Sequence, residues 1–186
     1  IISLLEYSAN KKVKEIETLT KNLCMHIAAM KPESLDIADL DKDLAGNITE
    51  SSGRHPLPNV NTISGKLREW GINKLTHVIV YDHNNGSIAS RLWWLLKWLG
   101  HEKVSVLDGG FLEWEKSNFP IDNSISNYEP GNFVPVLNED KTWTAELINK
   151  WIKQSKKFLL IDARDENRYR GIEEPIDRIA GHIPGA

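Results

Sequence analysis

Apolar positions along this chain fall into two patterns, short β-branched runs and longer stretches at helical spacing. HVIVY (77–81) and Lys103–Leu107 are short apolar runs, the pattern of buried parallel strands. Between them, seven of the eight residues from Leu92 to Leu99 are apolar, Lys97 being the exception. A helix that apolar nearly all round predicts cover on a second side, because a surface helix buries only one stripe. The separation of the two runs suits a strand–helix–strand crossover. The predicted fold class is therefore α/β, a central parallel sheet flanked by helices. DGGF (108–111) then predicts a turn into a short helix ending near Trp114.

The remaining pattern is coarser. IISLLEY (1–7) reads as a strand and residues 11–30 as a helix, with Val13, Ile16, Leu19 and Leu23 at helical spacing. Residues 31–58 are polar and turn-rich, and Pro56 and Pro58 exclude a regular element there. Ile63–Trp70 predicts a short helix stopping at Gly71. The stretch 120–141 holds three prolines and no period, which predicts a connection over the surface. WTAELINKWIKQ (143–154) reads as a helix and FLLIDAR (158–164) as a fresh buried strand. A strand ending in an acidic residue, then loop and helix, thus occurs twice and predicts domain duplication. The expected division is a first domain at 1–120, a connection at 121–140 and the incomplete start of a second domain at 141–186.

Composition narrows the function. With 186 residues, 40% hydrophobic and 26% charged, the chain has an ordinary globular balance. A net charge of −3 and the lack of a Lys/Arg cluster give no reason to expect nucleic acid or a membrane as partner. No apolar run is long enough for a bilayer or a secretory leader. An opening without Met and a close at GHIPGA predict a sequence cut at both ends. The single cysteine, Cys24, excludes an internal disulfide framework and a cysteine-based zinc site. A reducing, cytoplasmic setting is the expectation.

Taken in order, VIVYDHNNGSIASRLWWLLKWLGHEKVSVLDGGFLEW (78–114), GRHPLP (53–58) and LLIDARDENRYRGIEEPIDRIAGHIPGA (159–186) resemble the tandem-domain rhodaneses, the thiosulfate and 3-mercaptopyruvate sulfurtransferases. The first two segments are similar to that family's first domain and the third to the opening of its second. The resemblance implies a sulfurtransferase that takes sulfane sulfur from a small anionic donor onto a cysteine persulfide, then passes it to cyanide or a thiol. It implies no metal and no organic cofactor. It also places the nucleophilic cysteine in a second-domain loop after GHIPGA, so that cysteine is not present in this chain. Two other classes remain open: a non-catalytic rhodanese-like binding or regulatory module, and a phosphatase of the same fold type.

The resemblance also assigns residues. In the loop DHNNGSIASR, Asp82 stands where a nucleophilic cysteine would be, which predicts a catalytically silent first domain. Arg168 in NRYRG matches the arginine that faces the donor's anionic end, a task suited to a planar guanidinium. Arg178 is a candidate second clamp, against the reading of an exposed loop arginine. His55, with Asp41 upstream, matches a pair that supports the second-domain cysteine, although Asp36, Asp39 and Asp43 compete for the aspartate role. His182 reads as a structural histidine of its turn, and Cys24 as a buried small hydrophobe. Arg91 is expected to pair with Asp82, and Trp93, Trp94 and Trp98 to pack in the core.

Overall fold

The computed structural model describes residues 38–50, 52–121, 129–154 and 157–186. The strand expected at 1–7, the helix expected at 11–30, Cys24 and Asp36 lie outside the described residues. The chain forms two compact units, Ile1–Asn138 and Glu139–Ala186.

In the first unit, helix α1 spans Val60–Glu69. It begins earlier than the apolar spacing alone predicts because Asn59 caps it: the side-chain oxygen accepts the N–H groups of Asn61 (2.9 Å) and Thr62 (3.3 Å). The chain leaves α1 through Trp70 and Gly71, the latter at φ +70°, a conformation that favours glycine. Strand β1 is Val78–Val80 and strand β2 is Val104–Val106, paired in parallel with Val78 opposite Val104 and Val80 opposite Val106. Helix α2, Ser87–Trp98, makes the crossover between them, and helix α3, Gly110–Lys116, follows β2. The α/β class and the parallel pairing match the sequence reading.

The core explains the greasy helix. Leu95, Leu96 and Leu99 are fully buried with Leu44, Ile63, Leu67, Val80 and Val104, while Leu92, Trp93 and Trp94 pack against that cluster. Each fully buried leucine contributes about 1.5–3 kcal/mol relative to exposure. Trp94 and Trp98 stack at 6.1 Å. Lys97 reaches out of the apolar surround to Glu102, donating to its carbonyl (2.6 Å) and carboxylate (2.7 Å).

The segment after the first helical layer is more than a connection over the surface. The N–H groups of Gly131, Phe133, Val136 and Asn138 donate to the carbonyls of Arg68, Ile72, Leu99 and Trp98. Phe133 is buried in the core, and its carbonyl accepts from Arg68 Nη1 at 3.1 Å. The ring of Phe133 meets His101 edge-on at 5.7 Å. His101 is itself buried, with Nε2 2.9 Å from the carbonyl of Thr76.

In the second unit a 3-10 turn, Glu139–Lys141, precedes helix α4, Ala145–Lys153, capped by the Thr144 hydroxyl. Trp151 packs edge-on against Trp143 (4.3 Å) and Phe158 (5.7 Å). FLLIDAR departs from the sequence expectation. It is extended but unpaired among the described residues, and Leu159 and Ile161 are 83% and 74% exposed. A strand exists only through a neighbour that takes its N–H and C=O groups, and none among the described residues lies alongside it. Helix α5, Glu166–Tyr169, follows with Asp165 as its cap. No helix among the described residues is long and apolar enough to cross a membrane.

Two predictions follow from this core. Burial pushes the His101 imidazole below its ordinary value of 6.5, outweighing the backbone hydrogen bonds that favour its charged form. The folded state therefore binds its proton less readily than the unfolded chain. The stability it contributes is complete above pH 6.5 and is lost as pH falls from there. Denaturant melts at pH 7.5 and 5.5 are expected to show this loss in the wild type and a shallower one in His101→Gln. Ser64 Oγ is buried without a hydrogen-bond partner among the described residues. Ser64→Ala should thus raise stability by up to about 1 kcal/mol, and a clear loss in the same melts would contradict this account.

Candidate functional site

The turn from β1 into α2 is built on one carboxylate. Asp82 Oδ1 accepts the N–H groups of Asn84 (2.9 Å) and Gly86 (3.0 Å), and Oδ2 those of Ile88 and Ala89 (both 3.1 Å). Gly86, at φ +83°, bends the chain into α2 and offers no capping side chain. The orphan donors of the first helical turn therefore take Asp82 as their acceptor. Burial alone pushes the Asp82 carboxyl up, but the four N–H groups together outweigh it and leave it below 3.8. Gly110, at φ +56°, lies so close that an added Cβ would sit 2.6 Å from the Asp82 carbonyl oxygen, which accepts from Phe111 N at 3.0 Å. The loop thus places N–H donors around an anion, and the anion is the chain's own.

A second cluster lies in the loop before α1. His55 Nε2 is 3.4 Å from Asp41 Oδ1, with the Asp41 side chain 80% exposed. The competing aspartates are otherwise engaged: Asp39 Oδ1 accepts the N–H groups of Asp41 and Lys42, and Asp43 faces Lys66 at 3.8 Å. Arg91 does not pair with Asp82, as the sequence reading expected. Its guanidinium donates to the carbonyls of Leu44 (2.9 Å), His55 (3.0 Å) and Pro56 (3.1 Å). Burial lowers its affinity for the proton, yet three carbonyls keep the charge satisfied. The reason for the difference is that Asp82 is already saturated by backbone N–H groups.

In the second unit, Arg168 is not open to solvent. Its Nη2 lies 2.9 Å from Glu174 Oε1 and 2.7 Å from Asp177 Oδ2. Arg164 pairs with Asp162 (2.7 Å) and Glu174 (3.3 Å) and donates to the carbonyl of Gly181. Hydrogen bonds from the Arg168 guanidinium hold Glu174 at about 2, and those from Arg164 hold Asp162 at about 2. Arg178 is exposed and makes no ion pair among the described residues. His182 stacks on Tyr169 at 3.9 Å, and its Nδ1 lies 2.7 Å from the Tyr169 carbonyl, which fastens the GHIPGA turn to α5. An open groove of about 480 Å³ runs past Leu160, Ile161, Asp162, Arg164, Tyr169 and Arg170. Sequence reading missed Arg164, Glu174 and Asp177. The alternation of both charge signs through DARDENRYRGIEEPIDR was the available signal.

The comparisons with known proteins agree on the family. Residues 28–117 match the model of the rhodanese-like domain. The chain is 39% identical over 151 residues to a "Probable 3-mercaptopyruvate sulfurtransferase" of Pseudomonas aeruginosa, covering 80% of this chain and 53% of that protein. It is 40% identical over 135 residues to the thiosulfate sulfurtransferase of Rattus norvegicus, covering 70% of this chain and 45% of that protein. Among solved structures, the 3-mercaptopyruvate sulfurtransferase SseA of Escherichia coli superposes with a TM-score of 0.66 at 30% identity, over 80% of this chain and 54% of SseA. The chain spans about half the length of the curated relatives it matches.

The Asp82 cradle predicts a large effect from a small change. Asp82→Asn keeps the shape but removes the charge and leaves two backbone N–H donors facing an amide NH2 that cannot accept. It is expected to cost about 1.5–3 kcal/mol in urea melts at neutral pH. Because the folded value lies below 3.8, that contribution is present above pH 3.8 and is lost as pH falls through the folded value. Equal stability of the two forms at pH 7 would mean the cradle is not a stabilising feature.

Proposed function

Because the chain belongs to the rhodanese family, we propose that it is the first domain and the opening of the second domain of a sulfurtransferase. The reaction moves sulfane sulfur from thiosulfate or 3-mercaptopyruvate to cyanide or a thiol. The nucleophile is a second-domain cysteine outside this chain, since its one cysteine, Cys24, precedes the predicted first crossover. That cysteine's thiolate attacks the donor's outer sulfur. Sulfite then leaves thiosulfate, or the enol(ate) of pyruvate leaves 3-mercaptopyruvate, with the bonding electron pair, and a persulfide remains. The acceptor attacks the outer persulfide sulfur and regenerates the thiolate. The setting is cytoplasmic.

The identity to sulfurtransferases over most of this chain carries the reading. The site geometry supports a division of labour within it. Asp82 fills the first domain's loop, so that loop is a structural element. His55 and Asp41, at 3.4 Å, form a proton-handling pair of the kind an enolate leaving group needs. Arg168 supplies the cation for the donor's anionic end, with Arg178 as a second, exposed cation near it in sequence. One observation favours the binding-module alternative for this chain by itself: both the Asp82 loop and Arg168 are already filled by the protein's own carboxylates.

Thiocyanate formation from each donor plus cyanide tests the reading. This chain alone is expected to give none, and the longer polypeptide that continues it is expected to turn over. Turnover by this chain that Cys24→Ser abolishes, or silence of the longer polypeptide with both donors, would overturn it. In the longer polypeptide, His55→Gln should lower kcat with 3-mercaptopyruvate by about tenfold or more while affecting thiosulfate less.

A further inference from the structure

The charge cluster around Arg168 carries a consequence for donor binding that rests on Arg168 being the donor-facing cation proposed above. Three carboxylates, Asp162, Glu174 and Asp177, surround two guanidinium groups, Arg164 and Arg168, so the cluster has one negative charge in excess. An anionic donor that approaches this cluster as it stands meets no unpaired cation. It must replace one of the carboxylates.

The two carboxylates on Arg168 differ in how easily they leave. Glu174 is 5% exposed in its side chain, and its oxygens lie 3.3 Å from Arg164 Nη1 and 3.1 Å from Arg168 Nε. It also accepts the N–H groups of Ile176 (3.2 Å) and Asp177 (2.9 Å). Moving it would leave the Arg168 Nε–H and two backbone donors without their acceptor and take one of two carboxylates from each guanidinium. Asp177 is 42% exposed, and its carboxylate meets Arg168 through Nη2 at 2.7 Å. With its carboxylate open to water, Asp177 regains hydration when it leaves, so it exchanges more readily than Glu174.

We propose that Asp177 is a donor-selecting residue: its carboxylate holds the place on Arg168 that the donor's anionic end takes, and the donor binds by exchange with it. Glu174 stays as the permanent counter-ion that keeps the guanidinium plane oriented throughout. Because the cluster carries one negative charge in excess, Asp177 weakens the binding of a dianion such as thiosulfate more than that of a monoanion such as pyruvate.

Calorimetric titration of this chain with thiosulfate, with the NMR signal of the Arg168 Nε–Hε group followed wherever Arg168 is present, tests the exchange. Asp177→Asn is expected to tighten thiosulfate binding by about two- to fivefold and pyruvate binding by less. Glu173→Gln removes an equal charge nearby without touching Arg168 and should leave both unchanged. Arg168→Lys in the Asp177→Asn background should abolish the gain. If Asp177→Asn binds no tighter than wild type, or Glu173→Gln matches it, the exchange is refuted while a loss in Arg168→Lys still upholds Arg168 as the donor's cation. If Arg168→Lys binds as wild type does, the role of Arg168 falls, and the exchange with it.

Discussion

Four backbone N–H groups at the entry to α2 need an acceptor, and the carboxylate of Asp82 supplies it. That requirement sets much else in the first unit. The strand must end just before Asp82, whose side chain turns back into the loop, and the helix must follow a glycine that can bend with positive φ. Gly110 must be bare so that the chain after β2 can come against the Asp82 carbonyl. A charge-assisted acceptor at a helix start combines hydrogen bonding with the favourable end of the helix dipole.

The saturation of Asp82 leaves Arg91 to find other partners, and it takes carbonyls. A buried guanidinium without a carboxylate is uncommon, because hydrogen bonds alone must offset the lost hydration. Here it collects three carbonyls from the loop that carries His55 and Asp41. The effect is to tie that loop to α2 in the middle of the core helix. The imidazole and its aspartate are thus held by main-chain geometry, while the pair's own contact stays loose and mostly in water.

Strands, crossover helix and turn were legible because burial writes them directly into residue type. HVIVY and the seven apolar residues between Leu92 and Leu99 have no other stable use in a packed α/β domain. The burial of Phe133 was not legible, since its surroundings are rich in Pro, Asn and Gly and lack any period. FLLIDAR misled for the opposite reason: its composition asks for a strand, but pairing is a property of neighbours rather than of the segment. Residue identity singled out Arg168 and His55 as candidates, but not what each would touch. Glu174 and Asp177 engage Arg168 through a turn whose path is not periodic, and short-range charge patterning does not specify which cation pairs with which carboxylate. Arg91 was misassigned because opposite charge suggests a partner, whereas the donor count of the loop had already used it.

The stretch from Gly131 to Asn138 gives the first unit a definite mechanical exit. Its anchors are taken up in order along the chain, with Asn138 on Trp98, Val136 on Leu99, Phe133 on Ile72 and Gly131 on Arg68. Tension on the chain beyond Asn138 therefore loads these bonds singly, as in unzipping, rather than together. The first two yield at the cost of one hydrogen bond each. Phe133 is where the peel stops, because drawing it out means pulling an aromatic ring from the core and uncovering His101. A pull during translocation or proteolytic unfolding would thus meet its resistance at one side chain.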